Sequence, residues 1–158
     1  MADIIKFFAY AELMNEDYFK EQGLVYVDKL PVTLSAHRLV FDKIPSDENA
    51  QEGLGCSNIE PTPDNAGMAF GIMYEMEHSY LPRLDEIHQV PGEYQRKVMR
   101  FNKHDFAMTN GFLYIARPEK IKRGLKPDKA TMKILRNAKS SVPMLYFSRL
   151  MGTRTLDK

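Results

Sequence analysis

Cysteine and tryptophan are almost absent from this 158-residue sequence, which contains one cysteine, Cys56, and no tryptophan. A single cysteine cannot form a disulfide within the chain, and this suits a reducing compartment. A cysteine pair for structural zinc and a His-Glu-x-x-His motif are also missing, so the sequence predicts no metal site. No histidine lies near Cys56 in the sequence, and we therefore expect this cysteine to be structural rather than nucleophilic.

Long apolar runs and a concentrated charge of one sign are missing as well. No stretch approaches the roughly 18 apolar residues of a membrane span, and Asp3 and Lys6 within the N-terminal apolar run argue against a signal peptide. The formal net charge is only +1, whereas nucleic-acid binders usually present a concentrated basic face. We therefore expect a cytoplasmic protein that binds neither membranes nor nucleic acid. Phosphate-loop motifs are absent, and we expect no cofactor.

The length and composition are those of an ordinary globular domain. Apolar residues make up 44% of the chain and charged residues 27%, which is typical of folded proteins. A chain of this length buries roughly 70% of its unfolded surface, enough for a core and a small pocket. We expect one domain over residues 1–158. His37 and His104 are expected to be surface or partly buried residues rather than catalysts.

Apolar and alternating segments in the first three quarters predict strands, and the end of the chain predicts helices. The predicted strands are residues 3–10, 25–27, 32–41, 68–76, 94–101 and 106–116. Helices are predicted after the N-caps Asn15, Ser79 and Asp128, and another begins at Pro143. Gly71 within an apolar strand indicates a close approach of another backbone. This pattern predicts an α+β fold, with a mixed, mostly antiparallel sheet that curls into a small barrel flanked by helices.

Four short motifs follow one another along nearly the whole chain. Residues 7–15 (FFAYAELMN) end an apolar strand in a loop, and residues 34–41 (LSAHRLVF) alternate. Residues 71–94 contain Gly-x-x-Tyr, a short helix with Leu-Asp, and a later tyrosine, while residues 126–150 contain Lys-Pro, a helix and Pro-x-x-Tyr. In this order and spacing the motifs resemble the γ-glutamylcyclotransferase family, including its plant-defence-related branch of γ-glutamylamine cyclotransferases.

The resemblance implies the chemistry of that family. The α-amine of a γ-glutamyl group attacks its own γ-carbonyl, so that 5-oxoproline and an amine or peptide are released. The amine arrives protonated, and a general base must accept a proton that can then pass to the leaving nitrogen. The loop after the first strand would supply backbone N–H groups for anionic substrate oxygens. The implied partner is a small molecule, and the oligomeric state stays open.

Two positions depart from the family's pattern. The family's catalytic glutamate is replaced by His88, and the glycine and serine of its loop are replaced by Ala11 and Glu12. A histidine suits the role of base at neutral pH because its ordinary pKa is about 6.5. A carboxylate on Glu12 near the pocket should repel a substrate α-carboxylate by about 1–4 kcal/mol at about 4 Å. The resemblance implies His88 and Glu12 as catalytic candidates and, as substrate-binding residues, Tyr10, Ala11, Leu13 and Tyr94.

Three functions are compatible with these departures. The first is a γ-glutamylcyclotransferase-like enzyme with altered substrate choice, in which His88 or Glu12 is the base. The second is a binding domain that keeps the pocket and has lost the chemistry. The third is a divergent acyl-transfer or hydrolytic enzyme that uses Glu12 and His88 as a pair. An enclosed cavity that holds both side chains would favour chemistry, whereas a filled cavity would favour the binding domain.

Overall fold

The computed structural model describes residues 3–103 and 107–157, apart from the side chain of Ser140, and this part contains seven strands and four α-helices. The strands are β1 (Ile4–Ala9), β2 (Asp28–Ser35), β3 (His37–Lys43), β4 (Cys56–Pro61), β5 (Met68–Glu77), β6 (Tyr94–Lys103) and β7 (Met108–Ala116). The helices are α1 (Glu16–Glu21), α2 (Leu81–Ile87), α3 (Lys129–Arg136) and α4 (Met144–Met151). A single turn of 3₁₀ helix, Glu12–Met14, follows β1.

Five of the strands form a closed barrel in the order β1-β5-β2-β6-β7. The neighbouring strands are antiparallel, except that β1 meets β7 in parallel where Phe7 pairs with Phe112 and closes the barrel. Strands β3 and β4 form a separate two-stranded antiparallel sheet. The predicted α+β class and the mostly antiparallel barrel with flanking helices are confirmed.

Three strand predictions need correction. Residues 32–41 do not form one strand, because Ala36 takes a left-handed conformation at φ 62° and the chain passes there from β2 into β3 of the other sheet. Residues 25–27 are not a strand, although the Val27 N–H bonds the Glu75 carbonyl. Of the strand predicted over residues 106–116, β7 contains Met108–Ala116, and Phe106 lies outside the described residues, as does His104.

Helix boundaries follow the sequence signals at two of the three predicted caps. The Asn15 side chain accepts from the Tyr18 N–H at 3.1 Å, and Asp128 accepts from Thr131 N–H at 2.8 Å, so both predicted N-caps are confirmed. The Ser79 cap is wrong, because α2 begins at Leu81 after a 3₁₀ turn and its N-cap makes no side-chain hydrogen bond.

Among the described residues, no helix is long and apolar enough to cross a membrane.

The core holds the segment after β1 in place. Tyr74 of β5 stacks on Phe19 of α1 with the ring centroids 4.0 Å apart, and its hydroxyl donates to the Leu13 carbonyl at 2.7 Å. On the other side of the segment, the Asn15 side-chain amide donates to the Ile134 carbonyl of α3 at 3.0 Å. Buried hydrogen bonds of this kind fix the position of a loop that lacks the backbone hydrogen bonds of a sheet.

Gly71 confirms the predicted close approach of another backbone, and its substitution tests the packing of the barrel. A methyl group on Gly71 would lie 2.3 Å from the Ala9 carbonyl oxygen and 2.7 Å from Cε1 of Phe8. We expect Gly71→Ala to lower the free energy of unfolding by about 3 kcal/mol, measured by urea denaturation. The control is Gly92→Ala, whose methyl would meet nothing closer than 4.0 Å. Equal free energies of unfolding for the two variants would contradict the close packing around Gly71.

Candidate functional site

A cavity of about 220 Å³ lies where the end of β1 and its following turn meet the end of α2. Its wall includes all six residues that the family motifs indicate: Tyr10, Ala11, Glu12, Leu13, His88 and Tyr94. The structure therefore brings the first and third motifs together, although more than seventy residues separate Leu13 from His88 in the sequence. The cavity is open rather than filled by side chains, which leaves room for a small ligand.

The His88 ring is held in one tautomer and one orientation. Its Nδ1 lies 2.8 Å from the Leu84 carbonyl oxygen, and because a carbonyl oxygen only accepts, Nδ1 carries the proton. The ring stacks on Tyr114 with the centroids 3.8 Å apart and an interplanar angle of 6°, and it meets Tyr94 edge-on at 5.8 Å. The lone pair on Nε2 is consequently the basic position that His88 offers to the cavity.

Burial decides the charge of His88. The surrounding apolar and aromatic groups lower the pKa of its imidazole to about 4, although the hydrogen bond to Leu84 and the charge of Asp85 act in the opposite direction. His88 is thus neutral at neutral pH and accepts a proton at Nε2. Its basicity is comparable to that of an ordinary carboxylate, which has a pKa of about 4.

A chain of hydrogen bonds holds Tyr114, on whose ring His88 stacks. The Tyr114 hydroxyl donates to Asp85 at 2.7 Å, and Arg96 pairs with the same carboxylate oxygen at 3.1 Å. The Tyr10 hydroxyl donates to the Tyr114 carbonyl at 2.6 Å. Asp85 of the Leu-Asp motif therefore acts through Tyr114, and Tyr10 is a wall residue whose hydroxyl is already engaged.

Glu12 places a carboxyl group inside the cavity wall rather than in solvent. Its Oε1 is fully buried and has no hydrogen-bond partner. Burial raises the pKa of this carboxyl, while hydrogen bonds from the Ser57 side chain and from its own backbone N–H lower it, and the charge of Asp128 raises it further. A buried carboxyl oxygen without a partner is costly unless a ligand supplies a donor.

Lys43 is a member of the cavity wall that the motifs did not indicate. Its side chain is only 2% exposed, its ammonium lies 2.8 Å from Glu93, and it also donates to the Ile44 carbonyl. Glu93 in turn binds Lys120 at 3.2 Å. Lys43 lies two residues beyond the buried Phe41 in β3, so the period of a strand indicates that it points inward.

Two further polar residues of the wall also went unrecognised. The Ser57 carbonyl accepts from the Tyr94 hydroxyl at 2.6 Å, which joins β4 to β6 across the cavity. Cys56 lies in the wall, but burial raises the pKa of its thiol, which agrees with a structural role. Within residues 3–103 and 107–157, no group of three or more histidine, cysteine or acidic side chains could hold a metal ion.

Comparison with solved structures identifies the architecture. A γ-glutamyl cyclotransferase superposes with a TM-score of 0.83 at 18% identity, over 99% of this chain and 91% of that one. The chain has the γ-glutamyl cyclotransferase fold. An uncharacterized Homo sapiens protein gives 0.82 at 17% identity, over 98% and 90% of the two chains. A yeast γ-glutamyl cyclotransferase specific to glutathione gives 0.62 at 12% identity, over 96% and 97%.

The superpositions establish the γ-glutamyl cyclotransferase fold. At identities this low they do not establish the chemistry, which has to be argued from the residues of the site. No family model and no curated protein matches the sequence. Within this fold the chain keeps Tyr10 and Tyr94 in the cavity wall, and it presents Glu12 and His88 to the same space.

The half-buried, neutral His88 predicts a loss of stability on mild acidification. Its pKa is about 4 in the folded protein and near the ordinary 6.5 when unfolded, so the unfolded chain binds the extra proton between these values. Stability is fully present above pH 6.5 and falls by up to about 3 kcal/mol as the pH drops to 4. Glu12, with its raised pKa, acts in the opposite direction above the ordinary pKa of a glutamate.

The measurement is urea denaturation of the wild type and of His88→Asn between pH 7 and pH 4. We expect the wild type to lose more stability over this range than His88→Asn does. His37→Asn is the matched control, because the Nδ1 of His37 also lies near a backbone carbonyl, that of Ser35, but outside the cavity. The same slope in all three proteins would show that His88 is charged in the folded state.

Proposed function

We propose that this chain is a cyclotransferase-type enzyme, in which a substrate amine attacks the acyl carbon of its own chain and forms a five-membered lactam. The observation that supports this most strongly is that His88, whose Nδ1 is engaged by the Leu84 carbonyl, and Glu12, whose Oε1 has no hydrogen-bond partner, line the same cavity. Both accept hydrogen bonds when His88 is neutral and Glu12 is ionised. A primary amine supplies donors for both.

The chemical roles of His88 and Glu12 follow from their positions. His88 stands at the family's base position, and Nε2 would accept the proton that the attacking amine loses as the new C–N bond forms. The same nitrogen would return this proton to the leaving amine as the old C–N bond breaks. Atoms therefore balance without a cofactor, and the products are a lactam and a free amine. Glu12 would pair with the substrate ammonium. This ammonium first loses one proton to solvent, and the released amine takes one up when it becomes an ammonium ion, so the number of protons is unchanged.

The aromatic wall would contribute by excluding water and holding the base. Stacking of His88 on Tyr114, and the bond from Tyr114 to Asp85, limit the movement of the imidazole. Positioning of reacting groups is a major source of rate enhancement. The yeast relative is described as specific to glutathione, and for this chain a compound with a γ-glutamyl-type acyl amide is the corresponding substrate class.

The test is incubation of the purified protein with a panel of γ-glutamyl amines and dipeptides and of related γ-amino acyl amides. Mass spectrometry would detect the lactam and the released amine. Formation of a lactam by the wild type, and much less by His88→Asn, supports the proposal. Tight binding of a panel member without any turnover would instead support the binding domain. Hydrolysis to an open-chain acid would support the divergent hydrolase.

A further inference from the structure

The Glu12 side chain brings a carboxyl group into the cavity wall at the turn after β1 and fills space that a shorter residue would leave to a substrate. We infer that the substrate has no carboxylate on the carbon that bears its attacking amine, and is a 4-aminobutanoyl amide rather than a γ-glutamyl amide. This inference rests on the proposed cyclisation. In this inference, Glu12 determines which of the two substrate classes the protein accepts.

The first argument is the space that Glu12 fills. Glu12 lies in the cavity wall at the turn after β1, and its Oε1 is fully buried. A shorter serine side chain at this position would leave this space to a substrate. The space is filled whether Glu12 is ionised or protonated, because its carboxyl occupies it in both states.

The second argument is the charge of the wall. Among the described residues that line the cavity, Lys43 is the only lysine or arginine, and its ammonium is engaged by Glu93 and by the Ile44 carbonyl. Within the part of the chain that the structure describes, the cavity wall therefore has no unpaired cation to offset a second carboxylate. An ammonium without a neighbouring carboxylate complements the unpartnered Oε1 of Glu12 instead. The resulting discrimination is about tenfold to several hundredfold.

The reaction of such a substrate is balanced by the residues already described. In 4-aminobutanoyl-alanine, the terminal amine nitrogen attacks the acyl carbon, and the bond from that carbon to the alanine nitrogen breaks. The proton lost by the amine passes through His88 Nε2 to the leaving nitrogen. The products are 2-pyrrolidinone and alanine, and no oxidant, reductant or second substrate is required.

The experiment compares 4-aminobutanoyl-alanine with γ-glutamyl-alanine, which differ only in the carboxylate beside the amine. For the wild type we expect kcat/KM to be at least tenfold higher for 4-aminobutanoyl-alanine. In Glu12→Ser this ratio should fall at least tenfold, because the carboxyl group is removed and its space becomes free. The matched control is Glu77→Ser, which removes an exposed glutamate at the far end of β5 and should leave the ratio unchanged.

Each outcome has a distinct meaning. Equal rates for the two compounds, or a ratio that Glu12→Ser does not change, would overturn the inference while leaving the cyclisation intact. Failure of the wild type to release lactam from any compound would overturn the proposed function. Calorimetric binding of the two compounds would then still test the preference for the one without a carboxylate. If Glu12→Ser fails to fold, Glu12→Gln keeps the side-chain shape and should reduce the ratio to a smaller extent.

Discussion

Replacement of His88 by asparagine is expected to lower kcat for lactam formation by about 10²- to 10⁴-fold, the usual contribution of a general base. Asparagine has no basic nitrogen that could accept the proton from the attacking amine. KM should change much less, because the ammonium of the substrate pairs with Glu12. Steady-state kinetics on the best substrate of the panel would separate these two effects.

The pH profile distinguishes a base from a residue that only shapes the wall. His88 has a pKa of about 4, so its protonation should reduce kcat/KM only as the pH falls towards 4, and not near the ordinary value of 6.5. His88→Glu should retain more activity than His88→Asn, because a carboxylate can accept the proton. His37→Asn, outside the cavity, should leave kcat unchanged. Full activity of His88→Asn would remove His88 from the mechanism.

The barrel could be predicted from the sequence because its strands are either apolar or alternating segments. The segments around Phe7 and Tyr74 are buried and rich in aromatic residues, and both became barrel strands. The break at Ala36 could not be predicted, because alanine rarely adopts a positive φ and no glycine marks the position. A continuous alternating pattern therefore concealed the passage from one sheet to the other.

The site was predictable only where the family motifs covered it. His88 and Glu12 stand at positions defined by the first and third motifs, and the fold brings both to one cavity. Lys43 escaped notice because a lysine before a polar loop is usually exposed. Its burial depends on Glu93, which is fifty residues away in the sequence and comes close only through the fold. A single sequence does not show that a distant glutamate compensates the charge of a buried lysine.

Conversion of the cavity to the family's own residues is expected to create activity on ordinary γ-glutamyl dipeptides. The triple variant His88→Glu, Ala11→Gly and Glu12→Ser should cyclise γ-glutamyl-alanine at least 10²-fold faster than the wild type. Glu12→Ser removes a carboxyl group from the cavity wall and leaves space for the substrate carboxylate, and His88→Glu supplies a carboxylate base. Ala11→Gly removes the Cβ of a residue that is only 7% exposed and lies in the cavity wall.

The three substitutions should act cooperatively, because all of them touch one bound substrate. The sum of their single effects on the activation free energy should therefore fall short of the effect of the triple variant. The measurement is release of 5-oxoproline from γ-glutamyl-alanine by each single variant and by the triple variant, with urea denaturation as the check on folding. A folded triple variant that binds γ-glutamyl-alanine and releases no 5-oxoproline would contradict the prediction. Determinants of cyclisation would then lie in wall residues outside the family motifs, and Lys43 with its partner Glu93 would be the first of these to replace.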